Sequence, residues 1–118
     1  MSLKDDFIPK EQVVNDTNIA AGKFSRTFRG QDLRQFTMQV NVKNVQVKIY
    51  CSNWKKPGTS GWVDLTTYFT GAANINSTSM VIQSTRLEFL WWKIEWQRTN
   101  ATNSVRIELL QYGRKIER

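Results

Sequence analysis

The groups that could carry chemistry define this sequence first by what is missing. Histidine is absent from all 118 residues, which removes the commonest general base, the usual imidazole metal ligand and every Ser-His or Cys-His relay. Cys51 is the single cysteine, so an intramolecular disulfide and a cysteine-rich metal site are both excluded. Set in an alternating apolar run, it reads as a small buried hydrophobe rather than a reactive thiol. The acids of the second half, Asp64, Glu88, Glu95, Glu108 and Glu117, are isolated from one another. Glu88, Glu95 and Glu108 read as solvent-facing strand positions rather than as a carboxylate pair. The expectation is a non-enzymatic protein with no catalytic residues, no metal and no cofactor.

Residues suited to binding are easier to find. Trp54 and Trp62 flank a loop that holds Lys55, Lys56 and the Pro57-Gly58 turn signal. Indole rings presented this way could form a platform for a sugar, with the lysines beside it; the same amphipathic rings also serve to cap the edge of a core. Net charge is +7 and uneven. Residues 1–34 hold six basic and five acidic side chains, and residues 35–118 hold eleven and five. A basic β-domain rich in aromatics invites comparison with single-strand nucleic-acid binders, whose exposed strand faces combine rings with Lys and Arg. Only Lys48 with Tyr50, and Lys93 with Trp91 and Phe89, share a face in that manner. Nucleic acid therefore ranks below carbohydrate as a partner.

The elements that position these groups are strands. Phe36, Met38, Val40 and Val42 alternate with polar residues, and after Lys43-Asn44 so do Val45, Val47, Ile49 and Cys51. Strands joined this tightly suggest antiparallel neighbours. Between Arg86 and Gln97, Leu90, Trp92, Ile94 and Trp96 fall on one face and Phe89, Trp91, Lys93, Glu95 and Gln97 on the other. Beyond the turn cluster Thr99–Ser104, Val105, Ile107 and Leu109 alternate again, which reads as a hairpin. A turn is also expected at Gly30-Gln31-Asp32. Residues 1–18 mix both charges with Pro9 and show no clean period, so they read as an arm or irregular lead-in, dispensable for folding. Six to eight short strands without a convincing helix predict one all-β domain over residues 19–118: an antiparallel β-sandwich, jelly-roll-like. No apolar run approaches a membrane span, and no export signal precedes the domain.

Ser52-Asn53, Trp62-Val63-Asp64-Leu65, Lys93-Ile94, Arg98-Thr99 and Gly113-Arg114-Lys115 follow one another in an order that resembles a family of small phage virion structural proteins, over about residues 34–115. Trp54-Lys55 stands where that family has Asp-Gly, and the tip Asn100–Asn103 lacks its glycine. The resemblance implies a β-sandwich that builds or decorates a virion assembled in the host cytoplasm, with no catalytic residues to carry over. Its partners would be other virion proteins or further copies of itself.

One strand bears on that partnership. A two-layer sandwich buries one face of each sheet, yet Phe89-Leu90-Trp91-Trp92 puts large apolar groups on both. Phe89 and Trp91 therefore need cover from the arm, a long loop or a second subunit, and a second subunit is the expected one.

Overall fold

The computed structural model describes residues 2–29, 33–83 and 89–117, with side chains for 11–29, 36–83 and 89–110. The turn expected at 30–32 and the residue Glu88 lie outside this range, as do the side chains of Gly113-Arg114-Lys115 and Glu117. Among the described residues eight strands are formed: β1 (Ser2–Thr17), β2 (Lys23–Arg29), β3 (Leu33–Lys43), β4 (Val45–Ser52), β5 (Val63–Asp64), β6 (Ser79–Gln83), β7 (Trp91–Arg98) and β8 (Ser104–Glu117). They make two four-stranded antiparallel sheets, β1-β8-β3-β6 and β2-β7-β4-β5, packed face to face as the expected all-β antiparallel sandwich. One short helix, α1 (Thr66–Thr70), lies between β5 and β6, where no convincing helix was expected. No helix among the described residues is long and apolar enough to cross a membrane.

The order of pairing describes the whole winding. β1 pairs with β8, β2 with β7, β3 with β6 and β4 with β5. The chain is therefore one long double-stranded ribbon with its tip at the β4–β5 loop, rolled so that successive pairs alternate between the sheets. This corrects two local readings. β3 and β4 are not hairpin neighbours, and neither are β7 and β8; each couple is split between the two sheets. Alternation identifies a strand but carries nothing about which sheet it joins.

What looked like hairpin turns are corners, and asparagine makes them. Asn18 and Asn44 adopt left-handed φ values of 51° and 56°, a conformation asparagine tolerates better than most residues. The Asn44 side-chain amide donates to Thr102 O at 2.8 Å, and Thr99 N–H donates to Asn44 O at 2.8 Å, so two corners lock together. The third is held by Asn103, which is 4% exposed. Asn18 N–H donates to Asn103 O at 2.8 Å, and Asn103 N–H donates to Asn18 Oδ1 at 3.2 Å. All three sheet-to-sheet connections at this end thus share one hydrogen-bonded cap.

The lead-in is a second correction. Residues 2–17, read as an arm or irregular, form β1 and pair along β8. Register shifts between Ile8 and Glu11 and between Gln12 and Val14 explain why no period was visible, because a bulge resets the alternation. Val13 and Val14 are both buried as a result, at 9% and 8% exposure. Pro9 is tolerated because β1 is an edge strand.

Between the sheets, Phe36, Met38, Val40, Val81, Val105, Ile107 and Leu109 face Phe28, Val45, Val47, Ile49, Trp92, Ile94 and Trp96. Trp92 is fully buried and central: its ring centroid lies 4.9 Å from that of Phe28 and 5.1 Å from that of Phe36. Trp92, Ile94 and Trp96 point inward as the alternation predicts. Leu90 does not. It precedes β7, is 42% exposed, and its N–H donates to Asn53 Oδ1 at 3.2 Å.

Candidate binding surfaces

Two surfaces near the ribbon tip gather the binding residues. The first is a cleft of about 490 Å³ whose walls include Cys51, Trp54, Val63, Tyr68, Phe69 and Phe89. The loop after β4 creates it. Ser52 Oγ accepts the Trp54 N–H at 3.1 Å, and the Trp54 ring lies against Gly61, where an added Cβ would collide with the ring. Gly61 also has φ of 92°, so the position requires glycine on two counts. Trp54 is consequently held on one side while remaining 57% exposed, and Tyr68, which also lines the cleft, is 62% exposed. Tyr68 in turn stands edge-on to Phe69, with ring centroids 5.2 Å apart.

The cleft's thiol is silent. Burial pushes the Cys51 thiol up to about 12, so it stays protonated at neutral pH.

The second surface is the outward face of the β2-β7-β4-β5 sheet, where cations lie on rings. Lys93 Nζ sits 4.9 Å from the Tyr50 ring centroid and 4.6 Å from that of Trp62. Arg29 lies 5.0 Å from the Trp91 ring. The register places Tyr50 beside Lys93 on adjacent strands, so this pairing follows from sheet geometry; the approach of Trp62 does not, because it depends on the path of the 53–62 loop. Burial first, then the nearby Glu95 and Asp64 charges and a hydrogen bond with Glu95, raise the Tyr50 hydroxyl above its ordinary value.

Asp64 anchors the tip from below. Its Oδ1 accepts the Thr66 N–H at 3.0 Å and the Thr66 hydroxyl at 2.7 Å, and Lys48 Nζ stands 3.6 Å from Oδ2. Thr66, fully buried, accepts the Ile49 N–H at 2.9 Å. Asp64 is therefore committed to holding α1 against β4.

The residues singled out from the sequence separate between these surfaces. Trp54 lines the cleft, whereas Trp62 turns its Nε1–H to Gly58 O at 3.0 Å and its ring to Lys93. Lys55 and Lys56 are exposed on the connecting loop. Phe89 packs partly buried against the core. Trp91 is half-buried, and its Nε1–H donates to Lys55 O at 3.3 Å. Tyr68 and Phe69, which the sequence reading does not single out, join Trp54 in lining the cleft.

The fold is that of an eight-stranded antiparallel sandwich wound as a single ribbon. No protein-family model matches the chain, and no curated protein matches it. Among solved structures it is similar to PBSX exported protein XepA, with a TM-score of 0.55 and 14% identity over 93% of this chain. The chain spans 38% of that protein's length, and the likeness is one of fold.

Proposed function

We propose that this protein is a structural or assembly subunit of a phage particle, non-enzymatic, working through protein–protein contacts in the virion. The carrying observation is the fold likeness across 93% of the chain to XepA, an exported protein of the phage PBSX. The paired, rolled ribbon is read here as a jelly roll, an architecture used by viral capsid domains. The order of Ser52-Asn53, Trp62–Leu65 and Arg98-Thr99 supports the same reading through its resemblance to small virion proteins. Particles purified from a host that carries the gene and probed with an antibody against this chain provide the test. Stoichiometric recovery in intact particles is expected, and its absence from them overturns the proposal.

A carbohydrate-binding module is the second reading, favoured by the exposed rings of Trp54 and Tyr68, which both line the cleft of about 490 Å³. Titration with glycans while following Trp emission separates the two. Saturable quenching that Trp54→Ala removes supports the sugar reading. A single-strand nucleic-acid binder would instead bind oligonucleotides with a steep salt dependence.

A further inference from the structure

Each sandwich has four strand edges, and an edge left open is a template for further pairing that proteins normally blunt with charge, proline or brevity. Three edges here are treated so. β1 carries Pro9 among Lys4, Asp5, Asp6, Lys10 and Glu11; β2 carries Lys23, Arg26 and Arg29; β5 is two residues long. The fourth, β6, is Ser79-Met80-Val81-Ile82-Gln83, with no charge and no proline. It pairs with β3 on one side and with no other strand among the described residues, and α1, which packs beside it, leaves Met80 and Ile82 uncovered. Val81 points into the core at 3% exposure, while Met80 and Ile82 stand out at 54% and 66%. The register aligns Ile82 with Thr37 and Thr37 with Leu110, and Leu110 is 37% exposed. The apolar surface therefore continues inward across the sheet.

We infer that β6 is the contact through which two copies of this chain pair, strand to antiparallel strand, into one continuous eight-stranded sheet. The inference rests on the assembly reading and names its partner. Self-pairing is favoured over a foreign strand by the segment's own pattern, which reads the same in both directions about Val81: polar, apolar, Val, apolar, polar. A two-fold axis at Val81 puts Met80 of one copy opposite Ile82 of the other, twice, and Ser79 opposite Gln83. Side chains so placed on one face lie in direct contact, and a contact that uses the same patch on both copies is the commonest closed symmetry. Charge points the same way. Two chains of +7 repel, so they join best where neither presents a cation, and β6 with its neighbours Thr37 and Gln39 is neutral.

Sedimentation of the whole chain over a wide concentration range, alongside Met80→Lys and Ile82→Lys, tests the contact. The wild type is expected to dimerise and both variants to remain monomeric. Both side chains are exposed, so at concentrations low enough for the wild type to be monomeric the unfolding midpoint should not move, whereas at higher concentrations only the wild type gains stability by association. Register is read separately by oxidising Met80→Cys and Ile82→Cys proteins together and apart: the mixture should form a disulfide-linked dimer that neither forms alone. A wild-type chain that is monomeric throughout, a dimer that survives both lysines, or equal cross-linking with and without mixing overturns the β6 contact. Recovery of the chain in purified particles under any of those results leaves the assembly reading standing, whereas a β6 dimer absent from particles sinks that reading and not this contact.

Discussion

Asn103 Oδ1 accepts the backbone N–H of Ile19 at 2.9 Å, a bond that spans 84 residues of sequence. Its amide nitrogen donates to Asn100 O at 2.9 Å, so one buried side chain serves two of the corners where the chain changes sheets. Asn103→Ala leaves the buried Ile19 donor, and the part-buried Asn100 carbonyl, without this partner. The expected loss is about 1–3 kcal/mol, read from urea denaturation as a lower midpoint at unchanged slope. A loss within error would mean that water replaces the amide.

Trp92 presents a different balance. It fills the centre of the core, yet its Nε1–H finds no partner among the described residues. Trp92→Ala should cost roughly 3–5 kcal/mol through the cavity it leaves. Trp92→Phe should cost much less, because the smaller ring also removes an unpaired buried donor. Equal losses in the two denaturation curves would show that the indole N–H is satisfied.

Removal of residues 1–18 is expected to abolish the cooperative unfolding transition. It strips β8 of its outer partner and takes Val13 and Val14 from the core. Calorimetry decides the matter: a truncated chain that melts in a single transition near the wild-type temperature would show β1 to be an accessory strand.

The Asp64 carboxyl adds a pH dependence whose sign can be worked out. Partial burial raises its pKa, but the Thr66 N–H and hydroxyl and the Lys48 ammonium outweigh this and leave it below the ordinary carboxylate value. A depressed folded value means the stabilisation is complete above the unfolded pKa of about 3.9 and is lost as pH falls through the folded one. Asp64→Asn should therefore differ from wild type by a constant amount near neutrality, with the gap closing in acid. Denaturation midpoints that run parallel down to the lowest pH would contradict the assignment.

Local period carried the strands well. Phe36, Met38 and Val40, Val45 to Cys51, and Trp92, Ile94 and Trp96 all alternate cleanly and all face inward. Connectivity was hidden because Asn44 and the 99–103 turn look alike whether a chain reverses within a sheet or crosses to the facing one; only the bonds from Asn44 to Thr102 and from Asn103 to Ile19 distinguish the cases, and these join distant residues. β1 escaped notice for a local reason, its bulges. Of the candidate binding residues, Trp54 and Trp62 were visible as a pair, but their separation depends on Gly61, against which one ring lies, and on Lys93, which occupies the other. Phe89, placed by alternation on the same face as Trp91, packs instead against the core; the Lys55 carbonyl and Arg29 that meet Trp91 come from parts of the chain no periodicity links to it.

The ribbon winding also sets an order of events in time. The β4–β5 tip closes across a single loop of ten residues, 53–62, whereas β1 meets β8 by joining partners no closer in sequence than Thr17 and Ser104. Because closure entropy rises with the length of the loop enclosed, the least costly route zips from Tyr50–Asp64 outward, each pair shortening the gap for the next. A chain so dominated by distant pairings belongs among the slow folders, on the scale of about milliseconds to seconds. On this route the β1–β8 pair forms last, and Val13 and Val14 leave water with it.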